Sequence, residues 1–192
     1  MGVSGQGVSG IPFTVDASGN ASFTGSLSYA SLINAGSGIT SGTDTIYGSS
    51  VTKAGLLIET AIYIDITGLD DGGTLAFIIG DASAANCHLG QITTAISGTI
   101  DYGSMECLEV PTGGNIDINL YSAVEATGVE GTLITDLDET LLLNAGDWTL
   151  DLRQDLTTLP VANGYLYLSM GVSTVNTYTA GKFIIRLYGI EV

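Results

Sequence analysis

Cys87, His88 and Cys107 are the whole supply of cysteine and histidine in the chain, and soft-metal or thiol chemistry would have to start from them. Zinc ligands come as spaced pairs that converge from one turn, whereas neighbours on a strand point to opposite faces, so Cys87 and His88 would diverge. Two buried thiols and an ordinary histidine are the favoured reading, with a Cys87–Cys107 disulfide as the alternative. Carboxylates cluster at Asp70-Asp71, Asp117, Asp136-x-Asp138-Glu139, Asp147 and Asp151. Loop carboxylates can hold calcium, and a pair of them can cleave glycosides, but the EF-hand spacing is absent and acids are too numerous for their presence to discriminate. No G-x-S-x-G elbow occurs, and His88 would be the sole base, which disfavours serine nucleophile chemistry. Gly5-Gln6-Gly7-Val8-Ser9-Gly10 matches G-x-G-x-x-G without a preceding strand and with Pro12 after it, so it reads as a chance match in Gly/Ser-rich sequence.

Nine tyrosines offer a different chemistry, that of contact surfaces. Tyr165 and Tyr167 share one strand face, opposite Leu166, Leu168 and Met170. If the Leu/Met face packs inward, these tyrosines face solvent or another chain, with an interface favoured over a sugar site.

Basic residues are scarce: Lys53, Arg153, Lys182 and Arg186 stand against twenty acids, for a net charge of −16. Nucleic-acid binding needs clustered Lys and Arg, and an anionic membrane would repel this chain, so neither partner is expected. General acid–base catalysis has little His or Lys to work with. The expectation is a binding or structural protein, not an enzyme, with no cofactor or metal. Lys182 and Arg186 share a face of the last predicted strand with Ile184 and Tyr188, which makes them the expected partners for surplus acids, within the chain or between subunits.

The elements that position these groups read as strands. Residues 1–50 hold ten Gly, eleven Ser, two acids and no base. Within them Ile11-Pro12-Phe13-Thr14-Val15 and Ala21-Ser22-Phe23-Thr24-Gly25-Ser26-Leu27 alternate around a turn-rich Asp16-Ala17-Ser18-Gly19-Asn20, predicting a hairpin that carries Phe13 and Phe23. A lone hairpin is marginal, so this arm must dock on something. Over 55–67 the even positions Leu56, Ile58, Ile62, Ile64 and Ile66 are apolar, while Glu59, Tyr63 and Asp65 occupy the odd set. A short apolar run at 75–79 follows the turn Leu69-Asp70-Asp71-Gly72-Gly73. Further strands are predicted at 87–93, 98–102, 106–110, 116–121, 148–153, 165–170 and 182–190. Residues 133–145 read equally as a short helix between Asp136 and Gly146 or as a loop and strand. The 45% hydrophobic content supports a real core. The prediction is an all-β, antiparallel, jelly-roll-like sandwich over 51–192 with an extended N-terminal arm over 1–50. No membrane span is evident, and Met1-Gly2-Val3-Ser4-Gly5 lacks a signal's basic and apolar regions, so cytoplasmic synthesis is expected.

Through Ile64-Asp65-Ile66-Thr67-Gly68-Leu69, Ile79-Gly80-Asp81, Gly90-Gln91-Ile92-Thr93, Cys107-Leu108-Glu109, Gly113-Gly114-Asn115-Ile116-Asp117-Ile118 and Tyr178-Thr179-Ala180-Gly181-Lys182-Phe183, the chain resembles virion proteins of tailed phages of the marine and cyanobacterial kind. The likeness runs over about residues 38–190 and rests on turn and strand signatures. Separately, Val15-Asp16-Ala17-Ser18-Gly19-Asn20-Ala21-Ser22-Phe23-Thr24-Gly25 is similar to phrases that recur in tandem in phage fibre and head-fibre proteins; here it occurs once. The resemblance implies a capsid decoration (cement) protein on the exterior of a virion. Such a protein would be made in the host cytoplasm and bind the major capsid protein as a homo-oligomer, with a trimer favoured. A carbohydrate-binding or host-adhesion module is the alternative. Phe13, Phe23, Tyr165, Tyr167, Lys182 and Arg186 are the candidate interface residues.

Overall fold

A computed structural model describes residues 13–15, 21–23, 33–40, 45–172 and 176–191. The Gly5–Gly10 motif lies outside them. The chain divides into two units, Met1–Ala30 and Ser31–Val192. In the first, β1 (Phe13–Val15) pairs antiparallel with β2 (Ala21–Phe23), Phe13 opposite Phe23 in register, while the turn expected at 16–20 lies outside the described residues.

The second unit starts ahead of the compositional change near residue 50. Its early residues include α1 (Ser37–Thr40), and Ile33 and Ile39 enter the core. β3 (Ile46–Ala54), whose first five residues fall within the expected arm of 1–50, pairs with β4 (Leu57–Asp65). Then follow β5 (Gly90–Gln91), α2 (Thr94–Ser97), β6 (Thr99–Thr112), β7 (Ile118–Ala123), β8 (Glu139–Leu143), β9 (Arg153–Asp155), β10 (Tyr165–Met170) and β11 (Ala180–Ile190).

The strands form two antiparallel sheets, ordered β3-β4-β11-β6-β9 and β5-β10-β7-β8. From β4 onward the chain crosses between sheets so that β4-β11-β6-β9 faces β5-β10-β7-β8. That interleaving of eight strands is the jelly roll, with β3 added at one edge. Between the sheets lies one apolar cluster from both, including Leu120, Leu166, Leu168, Phe183, Ile185 and Trp148. The Trp148 ring meets Phe183 edge-on at 5.3 Å, and its Nε1 donates to the Ile118 carbonyl at 2.8 Å. Buried indole N–H groups need such a partner.

Several strand boundaries differ from the expected ones for local reasons. The predicted strands 98–102 and 106–110 are one strand, because Gly103 stays in register opposite Leu187. Residues 148–153 do not form the predicted strand: Asp151 takes φ 61°, and pairing with β6 begins only at Arg153. Residues 133–145 resolve into a 3₁₀ turn (Ile134–Asp136) and β8, whose Leu142 and Leu143 are buried. The 75–79 run is no strand of its own but hydrogen-bonds along β10, from Ala76 N to the Met170 carbonyl (3.0 Å) and Ile79 N to the Leu168 carbonyl (3.0 Å).

Pro111 sits inside β6, where a missing N–H would normally break the ladder. The register slips between Ala180 and Lys182, and Gly181 takes φ 142° beside Pro111 and Ile66. This bulge absorbs the proline and sets the phase of Lys182.

Candidate interaction face

Strand alternation puts Leu57, Glu59, Ala61, Tyr63 and Asp65 of β4 on one side of the five-stranded sheet, away from Ile58, Ile62 and Ile64. Register aligns Lys182 with Asp65, Ile184 with Tyr63, Arg186 with Ala61 and Tyr188 with Glu59. Across the other side of β11, Glu109, Glu106, Ser104 and Tyr102 take the corresponding places on β6. A single outward face thus carries three of the four bases, ranked along two strands.

Each base on it is met by acids. Lys182 Nζ contacts Glu109 Oε2 and stands 3.5 Å from Asp65 Oδ2. Arg186 Nη1 donates to Glu106 Oε2 at 2.9 Å, and its Nε stands 3.7 Å from Glu59 Oε1. Arg153 Nη2 donates to the Tyr102 hydroxyl at 2.9 Å, and that hydroxyl donates to Asp155. The hydrogen bond to Glu109 raises the Lys182 pKa, and that to Tyr102 raises the Arg153 pKa. Desolvation pushes the Asp65 carboxyl up, but bonds from the Thr67 hydroxyl and N–H, with Lys182 behind them, carry it below the usual carboxylate range. Exposed pairs of this kind add little to stability, so their main effect is to neutralise the bases of the face.

Tyrosines frame this ladder. Tyr47 and Tyr63 lie 5.8 Å apart between ring centroids, Tyr102 and Tyr188 5.6 Å. Ile184, enclosed by Lys182, Arg186 and Tyr63, is only 1% exposed. The result is a hydrogen-bonded surface of aromatic rings and paired charges on the five-stranded sheet.

Lys182 and Arg186, named from sequence, lie on this face. Tyr165 and Tyr167 lie on the other sheet, and the expectation that they point outward fails for Tyr167. It is 0% exposed; its hydroxyl donates to the Glu125 carbonyl (2.8 Å) and accepts from Gly128 N (3.2 Å), holding the 124–138 loop over the sheet. Burial pushes its phenol up to about 12. Both sides of β10 are covered, a possibility that alternation alone does not reveal. Tyr165 is half-buried with its ring 4.8 Å from His88. The side chains of Phe13 and Phe23 lie outside the described residues. The sequence places Tyr188 on the face of Lys182 and Arg186, but names none of Tyr47, Tyr63, Tyr102 and Tyr188 as an interface residue; the odd-position set of 55–67 held the signal for Tyr63.

The other chemistry-bearing groups are held as packing elements. Cys87 and Cys107 are free, buried thiols, and desolvation raises both pKa values. Asp70, Asp71 and Glu130 line an open cleft of about 530 Å³; burial first, then Asp70, Asp71 and Asp81, raise the Glu130 carboxyl. Asp71 accepts from Gly73 N and Asn176 N, both at 3.2 Å, and Thr177 bonds to Asp70. Among the described residues no three His, Cys, Asp or Glu side chains converge as a metal site. No helix among them is long and apolar enough to cross a membrane.

Comparison with known proteins finds no matching family model, no matching curated protein and no matching solved structure.

Proposed function

We propose that this chain is a structural virion protein that decorates and stabilises a phage capsid by binding the major capsid protein, and that it works by docking, not catalysis. In this reading it sits on the capsid exterior as a homo-oligomer, with a trimer favoured. The observation that supports it best is the outer face of the five-stranded sheet, where tyrosines are presented on a rigid frame and Arg153, Lys182 and Arg186 are satisfied by the chain's own acids. Tyrosine-rich surfaces bury area at small entropic cost, which suits a permanent contact. The Gly/Ser-rich arm agrees with it, since a segment free of bases and nearly free of acids can lie along a partner and pair through its backbone.

Co-sedimentation with capsids lacking this chain tests the proposal. The whole protein is expected to pellet with them. Tyr63→Ala with Tyr102→Ala should lower the affinity about tenfold or more, the ordinary consequence of removing two interface aromatics, in protein that circular dichroism shows to be still folded. Deletion of 1–30, which spares the second unit and its core residues Ile33 and Ile39, should abolish binding. A monomer that binds equally well without the arm and without both tyrosines would overturn it.

A second reading, a carbohydrate-binding adhesion module, is favoured by the adjoining, mutually tilted rings of Tyr102 and Tyr188 beside Arg153 and Asp155, since sugars take an aromatic platform flanked by polar groups. Glycan-array binding lost in Tyr102→Ala would select it over the capsid.

A further inference from the structure

At the Ile190 end of the same sheet the paired charges give way to an apolar patch. Leu56 and Leu57, at the tip of the β3–β4 hairpin, are each 64% exposed, and Ile190 is 41% exposed. Beside them is a groove of about 230 Å³ lined by Thr52, Ala54, Leu57, Glu59, Asp101 and Tyr188. A bulge helps to form it: Tyr188 pairs with Tyr102 and Gly189 with Ile100, so Asp101 is the extra residue on β6. Clustered exposed leucines on a folded domain mark a contact surface.

The rim is acidic and none of the chain's own bases reaches Asp101. Lys53 pairs with Glu191, Arg153 with Asp155, Lys182 with Asp65 and Glu109, and Arg186 with Glu59 and Glu106. That accounts for all four. A second copy would bring another net charge of −16 and no uncommitted base, so like-charge repulsion opposes it at this rim. The apolar lining from Ala54 and Leu57 likewise favours an aliphatic side chain over a sugar.

We propose that this groove docks a segment of a protein partner that carries a leucine-like side chain between lysines or arginines, the apolar group entering beside Leu57 and Tyr188 and a base meeting Asp101. The proposal deepens the docking function above and rests on it, since it states the chemistry of the partner's contact.

The test uses the full chain and two synthetic hexapeptides, each with two central leucines, one flanked by lysines and the other by glutamates. Methyl and amide chemical shifts report binding. The lysine peptide is expected to bind with a Kd on the order of 100 µM, to shift Leu56, Leu57 and Ile190, and to weaken as salt is raised. Leu57→Asp should weaken it about tenfold or more. Asp101→Asn should weaken it several-fold and flatten the salt dependence, and neither exposed substitution should move the melting temperature. The inference is overturned if the lysine peptide does not bind, if the glutamate peptide binds equally, if a soluble glycan shifts the same methyls instead, or if Leu57→Asp dissolves an oligomer. It is equally overturned if removal of residues 1–30 uncovers the groove. Capsid co-sedimentation separates the two claims. Peptide binding without capsid binding refutes the decoration role alone, and capsid binding unaffected by Leu57→Asp refutes the groove alone.

Discussion

Burial leaves His88 only 6% exposed with Nδ1 unpartnered, and desolvation holds its pKa below that of a free histidine. Between the folded value and the free value of about 6.5, the unfolded chain is protonated and the folded chain is not. His88 therefore costs no stability above pH 6.5, and stability falls as pH drops below it. Glu130, whose carboxyl is raised, acts in the opposite direction in acid. Comparing the native chain with His88→Phe isolates the histidine. The variant keeps a ring against Tyr165 and is expected to lose less stability between pH 7.5 and 5.5 in denaturant titrations. Parallel pH profiles would refute a buried neutral imidazole. Sequence placed His88 as an ordinary histidine; its burial follows from the 4.8 Å contact with Tyr165, a residue far away in the chain.

At the scale of the element, Gly181 decides how β11 sits against β6. A Cβ there would come within 2.8 Å of the Ile66 side chain and 3.2 Å of the Pro111 Cα, in a backbone conformation of φ 142° that side chains avoid. Gly55, at the hairpin tip, has φ 64° and nothing within 4 Å of a built Cβ. Gly181→Ala is expected to cost about 2–4 kcal/mol and Gly55→Ala about 1 kcal/mol, measured by urea unfolding. Equal costs would mean the bulge is not held by Pro111 and Ile66. Predicted strands 165–170 and 182–190 were legible because their apolar alternation is uninterrupted. β3 was not, since Ile46-Tyr47-Gly48-Ser49-Ser50-Val51-Thr52-Lys53-Ala54 is an edge strand with little buried on either side, and its composition blends into the Gly/Ser-rich arm. The β10 tyrosines misled for the converse reason: loop 124–138 folds back over their face, and a covered strand no longer has a wet side.

For the whole molecule, charge is the governing quantity. Most of the twenty acids lie outside the few ion pairs, so the native state repels itself, while unfolding moves like charges apart. Added salt screens that repulsion with a Debye length falling from about 30 Å at 0.01 M to about 8 Å at 0.15 M. The melting temperature should therefore rise by several degrees between 10 and 300 mM NaCl, as scanning calorimetry would register. A fall would mean that the face pairs outweigh the net repulsion.

The scarcity of bases, the period of two and the turn residues are local properties of the chain, and they were enough to determine an all-β sandwich and to disfavour polyanionic partners. They also put Lys182 and Arg186 on one side of one strand, because alternation is set by the backbone. Which acids meet those bases, and which tyrosines share their face, depends on register between strands such as β4 and β11, more than a hundred residues apart. The β4–β11 register runs unbroken, whereas that between β6 and β11 shifts at the Gly181 bulge, and core packing fixes both; none of this is encoded in any local window. The four-base count was visible at once; that each base is committed to an acid of its own chain was decided by the tertiary structure.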